Sequence, residues 1–376
     1  MKLIRILLCL LAGMAAMAQP RHWTEEEANQ WYARQPWLVG ANYIPSTASN
    51  QLEMWQQDTF DPMAMDRELG WAEGLGMNTV RVFLDDMLWQ RDSAGFEKRI
   101  GQFLKTADKH HIRTIFVLLD SVWDPSPELG PQLPPRPGIH NSRWVQSPSA
   151  AVLMDSRKWD GVLAYVQGIV TDYAHDKRIL AWDVWNEPGN TNQDSYAASD
   201  AAHKEQLVAQ LLPHVFEYAR AALPTQPLTS GLWKDDWSNP ANLTPIEKIQ
   251  VENSDVVSFH NYGPPEEFAK RLEWLAAYKR PILCTEYMAR PLGSTFQAIL
   301  PIAKKNNVAA INWGLVAGKT QTYLPWDSWL KPYTDREPAV WFHDIFQKDG
   351  KPYSREEVDF IRTVTARPQG KAARVK

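Results

Sequence analysis

The sequence predicts a closed α/β barrel of eight parallel strands in a single domain, and three observations lead there. Short apolar runs, rich in β-branched residues and each ending in polar residues, recur eight times. Amphipathic stretches of helical period separate most of them, which argues for a closed parallel barrel over an open sheet. No composition shift or linker marks a second domain between residues 19 and 366.

Taken in order, a polar helical lead-in spans 24–32, and the run 37–43 is the first strand, closing at Pro45. Asp61 can cap a helix that starts with Pro62 and runs to Gly74. The second strand is 78–84, a helix covers 96–110, and the third strand is 114–119. From Asp120 to Ser149 the pattern breaks into a Pro- and Gly-rich loop, and a loop of this length is expected to wall the face where the strands end. A helix at 156–173 leads to the fourth strand, which begins at Ile179 and ends in Asn186-Glu187-Pro188. Its period of two predicts that Asp183, Trp185 and Glu187 project to one side. A helix at 204–222, a strand at 227–233, a strand at 255–260, a helix at 265–278 and a strand at 280–286 follow. The helix 295–305 and the eighth strand, 308–313, complete the alternation; residues 338–362 are expected to add a last helical cover.

Composition narrows the function. Residues 1–18 carry a basic start, an apolar run and a small-residue end, which reads as a signal peptide and predicts a secreted or periplasmic protein. Cys9 lacks the small residues that precede a lipoprotein cysteine, and no later stretch is long and apolar enough to span a bilayer. Residues 367–376 form a basic tail expected to be disordered. With Cys9 in the leader, Cys284 stands alone and reads as a small buried hydrophobe. A formal net charge of -4 offers no basic footprint for nucleic acid. No His-Glu-x-x-His or His-x-His spacing occurs, and His110-His111 suits a helix end, so neither a metal nor a cofactor is expected.

Active sites of barrels gather where strands end. That places Asn42, Arg81, Asp120, Asn186, Glu187, Trp233, His260, Tyr262, Glu286 and Trp313 around one mouth. Glu187 and Glu286, on the fourth and seventh strands, then face each other as a carboxyl pair, the arrangement that hydrolysis of a glycosidic bond requires. One carboxyl must be protonated and the other ionised. Arg81 beside Glu286 would keep that group ionised, and the Tyr262 hydroxyl would help, while Glu187 beside Trp185 would have the higher pKa. Asn186 is placed to donate to a sugar 2-hydroxyl. Asp183, deeper in its strand, is expected to bond inside the barrel. Eighteen tryptophans suit a sugar cleft; Trp123, Trp144, Trp233 and Trp326 are candidate platforms, each equally able to pack a loop.

Asn186-Glu187-Pro188, the run 258–262 (Ser-Phe-His-Asn-Tyr), the run 284–287 (Cys-Thr-Glu-Tyr) and Asn312-Trp313-Gly314 together resemble the strand-end motifs of clan A glycoside hydrolases, especially the cellulase and mannanase group of family 5. The resemblance runs from the first strand to the eighth. It implies a (β/α)8 TIM barrel and a retaining mechanism acting on a β-linked poly- or oligosaccharide, with Glu187 as acid/base and Glu286 as nucleophile. Arg81, Asn186, His260, Tyr262 and Trp313 match the supporting residues of the family. Near the end of the third strand the family commonly carries a sugar-contacting His, where this chain offers Asp120, so the sugar is left open. A monomer is expected. A transglycosylase, or a barrel that binds carbohydrate without cleaving it, are the alternatives.

Overall fold

In a computed structural model the chain is described over residues 21–366, so the expected leader at 1–18 and the expected disordered tail at 367–376 lie outside the described residues. The strands are β1 Val39–Asn42, β2 Thr79–Phe83, β3 Arg113–Val117, β4 Ile179–Asp183, β5 Leu228–Thr229, β6 Val257–His260, β7 Ile282–Glu286 and β8 Ala309–Asn312. They pair in parallel in the order β5-β4-β3-β2-β1-β8-β7-β6. The remaining seam, between β5 and β6, is closed by backbone bonds: Asp255 N–H to Leu228 O at 2.8 Å, Leu232 N–H to Ser258 O at 3.0 Å and His260 N–H to Leu232 O at 2.8 Å. The fold is a (β/α)8 TIM barrel, as the alternation predicts.

The helices are α1 Glu25–Ala33, α2 Gln51–Trp55, α3 Pro62–Gly74, α4 Asp86–Lys109, α5 Ala150–Leu153, α6 Trp159–Asp172, α7 Lys204–Ala221, α8 Pro245–Asn253, α9 Pro265–Ala276, α10 Phe296–Lys305 and α11 Arg355–Thr365. Asp61 caps α3 as expected, accepting from Ala64 N–H at 2.9 Å. Several boundaries differ from expectation. Helix α4 starts at Asp86 rather than Phe96, because a polar first segment hides the periodicity and Asp92, at non-helical φ/ψ, kinks it and caps Gly95. The short helices α2 and α8 escape the reading, and the expected cover at 338–362 is helical only from Arg355, after the break at Asp349-Gly350-Lys351-Pro352.

Two apolar layers hold the barrel. The larger lies between strands and helices, where Phe103 of α4, Phe116 of β3 and Trp182 of β4 form a chain of aromatic contacts at 6.3 and 5.9 Å. The smaller plugs the barrel end away from the site: Leu38, Ile115, Val256, Leu283 and Ala309 meet Trp31 and Tyr32 of α1. Helix α1 is fixed there by a capping box between Thr24 and Glu27. The opposite end is left to polar residues, which is where the site forms.

The loop after β3 is not structureless. Asp120 and Ser147 exchange backbone bonds at 2.6 and 3.0 Å, and Gln51 of α2 donates to Val145 O at 2.7 Å. The loop folds back on itself as a wall, and these bonds take up backbone groups that would otherwise lie unpaired.

Candidate active site

Strand β4 ends at Asp183, four residues before Glu187, and this overturns the expected alternation. Asp183 points inward to Arg81, but Trp185 lies in the outer core with its indole N–H donating to Ser121 Oγ at 2.9 Å. Asn186 N–H bonds to Leu119 O at 2.8 Å, and Glu187 then turns at φ +42, in a region that non-glycine residues rarely occupy. This turn, rather than the pleat, aims the Glu187 carboxyl into the mouth.

Arg81, fully buried, is the hub beneath it. Its Nε and Nη2 donate to Asp183 Oδ2 at 3.0 and 2.8 Å. Its Nη1 donates to Asn42 Oδ1 and to Glu286 Oε1, both at 2.8 Å, and its Nη2 also donates to Asn186 Oδ1 at 2.7 Å. A buried guanidinium needs such partners, and the five-donor fork orients all of them at once. Glu286 takes a second donor, the Tyr262 hydroxyl, at 2.6 Å on Oε2. Glu187 accepts from Asn190 Nδ2 at 2.7 Å, and its Oε1 lies 2.9 Å from His260 Nδ1.

Burial sets the protonation states. It pushes Glu187 up to about 7, against the Asn190 hydrogen bond and the charges of Arg81 and Lys234. Burial also raises Glu286, while His260, Arg81 and the Tyr262 hydroxyl draw it back down. His260 is driven down to about 4 by burial, so it is neutral at pH 7, and it shares a hydrogen bond with Glu187 through Nδ1. Glu187 thus holds a proton near neutrality, and Glu286 is the carboxyl in direct contact with the guanidinium.

The two carboxyls open into a cavity of about 850 Å³. Asn186, Glu187, His260, Tyr262 and Glu286 line it together with Trp123, Trp233 and Trp313. Trp123 stacks on Trp329 with centroids 5.3 Å apart, and Trp313 stands edge-on to Phe83 and Trp144 at 5.8 and 5.7 Å. Trp326 lines the cavity as well, while Trp144 reaches it with only 3% of its surface exposed.

Three residues expected around the mouth sit behind the lining instead, Arg81 among them although it stands beside Glu286 as expected. Asp120 is buried, accepting from Trp144 Nε1 at 2.7 Å and Asn186 Nδ2 at 2.9 Å, so both oxygens are committed to residues that do line the cavity. Asn42 donates to Thr285 O at 2.7 Å and receives Arg81. Arg81 itself is sealed under Glu286. In each case the strand-end position was legible, but the depth of the side chain depends on partners far away in sequence.

Sequence reasoning missed Asn190, His140 and Lys234, all of which line the cavity. Asn190 lies three residues past Glu187 in the same turn, and that spacing was the available signal. His140 sits inside the long loop with its Nδ1 donating to Leu324 O at 2.8 Å, a contact no local pattern announces. Cys284 is fully buried, and His110 pairs with Asp66 and Glu73 on the surface. Among the described residues, Glu187, His260 and Glu286 are a group whose donor atoms lie within 4.8 Å of one another. Tyr262, Arg81 and Asn190 already occupy their oxygens as hydrogen-bond donors, which makes the cluster a proton-handling one.

No curated protein matches the sequence. Solved structures do match in fold. GH5_18 from Streptomyces cattleya in complex with GlcNAc superposes with a TM-score of 0.60 at 14% identity, covering 87% of this chain and 79% of that one. The endo-β-1,4-mannanase from Thermotoga petrophila gives 0.53 at 14%, covering 87% and 76%. An exo-β-1,4-mannosidase from Opitutaceae bacterium strain TAV5 gives 0.56 at 19%, covering 87% and 59%. A family model described as Cellulase (glycosyl hydrolase family 5) matches residues 72–319, more than half of the chain. With one of the paired carboxyls in the turn after β4 and the other at the end of β7, both inside that matched segment, the chain belongs to glycosyl hydrolase family 5 and is a glycoside hydrolase of β-linked glycosidic bonds.

Proposed function

We propose that the enzyme works by double displacement with retention, Glu286 acting as nucleophile and Glu187 as acid/base. The observation that carries this is proximity: one oxygen of Glu187 and one of Glu286 lie within 4.8 Å of each other, on either side of His260 Nδ1 at 2.9 and 3.5 Å. Retaining enzymes hold their carboxyl groups about 5 Å apart, whereas inversion needs roughly 6.5 to 9.5 Å to seat a water.

In the first step Glu286 attacks the anomeric carbon while Glu187 passes its proton to the departing glycosidic oxygen. Arg81 and Tyr262 hold the attacking carboxylate in place and take up its charge when it later leaves. In the second step Glu187, now ionised, accepts a proton from water as the water displaces Glu286. A resting pKa near 7 suits a group that must hold a proton and then give it up. Asn186, whose Nδ2 already donates to Asp120, has a second amide proton for the sugar 2-hydroxyl. Trp313 and the platforms Trp123 and Trp233 supply aromatic faces for the rings.

The substrate is a β-linked oligo- or polysaccharide, and β-mannosides head the panel to try because mannanases and a mannosidase share this fold. The product anomer, followed by NMR from the first turnover, should match that of the substrate; inversion would sink the two-step scheme. Azide should rescue Glu187→Ala and yield a β-glycosyl azide, and the opposite anomer would reverse the two roles. Transfer to an added sugar in place of water would identify a transglycosylase, and binding without turnover would identify a lectin-like barrel. We also propose export through the leader, with the mature chain starting near Gln19, which amino-terminal sequencing of secreted protein decides.

A further inference from the structure

The cavity has one closed side. Its lining comes from the loops that follow β3 through β8; among the described residues none before Val122 contributes, so the ends of β1 and β2 are cut off from it. The barrier is the long β3 loop meeting the loop after β8. Asn141 N–H donates to Thr320 O at 2.7 Å and Tyr333 N–H to Gly138 O at 2.9 Å. His140 N–H donates to Ser328 Oγ at 3.0 Å. Gln321 stitches the seam with three bonds: Nε2 to Arg136 O and Ile139 O at 2.8 and 3.0 Å, and Oε1 from Gly138 N–H at 3.0 Å. At Gly138 a β-carbon would come within 2.6 Å of the Tyr333 backbone, so the seam has no slack. From below, Asn50 Nδ2 holds Arg143 O at 2.8 Å and Lys319 N–H holds Ser46 O at 3.1 Å. Behind Trp144 and Trp313, where a through-running cleft would continue over β1 and β2, a void of about 20 Å³ remains. That is room for about one water and for no sugar ring.

The other side is open and polar, rimmed by Asn190 to Asp194 and Lys234 from the loops after β4 and β5 and by Glu267 and Arg271 of α9. The two sides are not interchangeable in a double displacement. After the first step the glycone is bonded to Glu286 and the leaving group must depart before water can act. A leaving group lodged in the dead end would be trapped behind the covalent sugar. The dead end must therefore hold the glycone, and the aglycone must leave through the open rim.

We infer that this enzyme is exo-acting, cutting from the non-reducing end of its chain and releasing one product size fixed by the depth of the closed side. The inference rests on the two-step hydrolase reading above. Its test uses a β-linked oligosaccharide that the enzyme turns over, fluorescently labelled at the reducing end, alone and with the non-reducing end capped as a 4,6-O-benzylidene acetal. The labelled chain should shorten by one constant step from the earliest time points. The capped chain should be cut at least about 100-fold more slowly, because the cap would have to displace a close-packed wall. Scattered labelled lengths at early times, or equal rates with and without the cap, would overturn exo action. Release of the labelled end as the first small product would overturn the direction. Gln321→Ala, which removes three bonds of the seam, should raise the ratio of capped to uncapped rates, whereas general damage lowers both together; an unchanged ratio in a folded variant counts against the wall. Failure to hydrolyse any member of the panel removes the hydrolase reading itself, a result distinct from internal cleavage.

Discussion

Asn190→Ala tests how the site tunes its acid. Burial raises Glu187 from 4.5 to about 7, and the strongest side-chain force opposing that rise is the 2.7 Å bond from Asn190 Nδ2. A hydrogen bond to a charged group is worth roughly 1.5 to 3 kcal/mol, and the partial solvent access of this carboxyl argues for the lower end. At about 1.4 kcal/mol per pKa unit, removing the bond should move Glu187 up by about one unit. Glu187 must be protonated to assist departure, so activity is present below its pKa and lost above it; the alkaline limb of kcat/KM should therefore shift upward by about one unit, to about 8. The substrate matters. An oligosaccharide has a poor leaving group and needs the proton, whereas a nitrophenyl glycoside largely does not and should show a weaker limb in both proteins. The assay is initial rate against pH from 5 to 9 on the oligosaccharide, wild type beside variant. A limb that stays in place, or moves down, would show that Asn190 does not stabilise the ionised acid or that another group controls the limb.

Tyr262→Phe removes the 2.6 Å donor from Glu286, and since Glu286 must be ionised to attack, its raised pKa should shift the acid limb of the same profile upward, with circular dichroism unchanged. Arg81→Met leaves Asp183 and Glu286 buried without their shared cation and should cost about 3 to 5 kcal/mol in urea unfolding as well as abolishing turnover; a variant as stable as wild type would mean the ion pairs are replaceable. Asp120→Ala orphans the Trp144 indole and one Asn186 amide proton, at about 1 to 3 kcal/mol each, and should reduce kcat more than it raises KM because it loosens the amide proposed for the 2-hydroxyl. Restored kcat in Asp120→Asn, which keeps acceptor oxygen for one donor only, would locate the effect in that single bond.

The barrel and the carboxyl pair at its mouth could be read from the chain because both rest on local signals. A strand buried on both faces must be apolar along its whole length, so the polar residues that end it stand out, and Glu187 and Glu286 were found in this way along with His260, Tyr262 and Trp313. The cap at Asp61 and the glycine- and proline-marked loops are equally local. What the pattern misread were side chains whose placement is decided elsewhere. Asn42 meets Thr285 across 243 residues of sequence and Asp120 meets Asn186 across 66, so whether each touches sugar or stands behind the lining follows only from the closed barrel. Glu187 was expected to face the mouth by alternation, but β4 ends at Asp183 and the turn at φ +42 aims it. The closed side of the cavity is a fact of the same kind: Gln321 and the 136–139 segment carry no shared motif, and they seal the cleft because the β3 and β8 loops converge above β1 and β2. Local hydrophobic patterning determined the scaffold and named the two acids. Long-range packing decided their orientation, their protonation and the shape of what they can reach, because burial and hydrogen-bond partners are properties of the assembled fold and not of any segment within it.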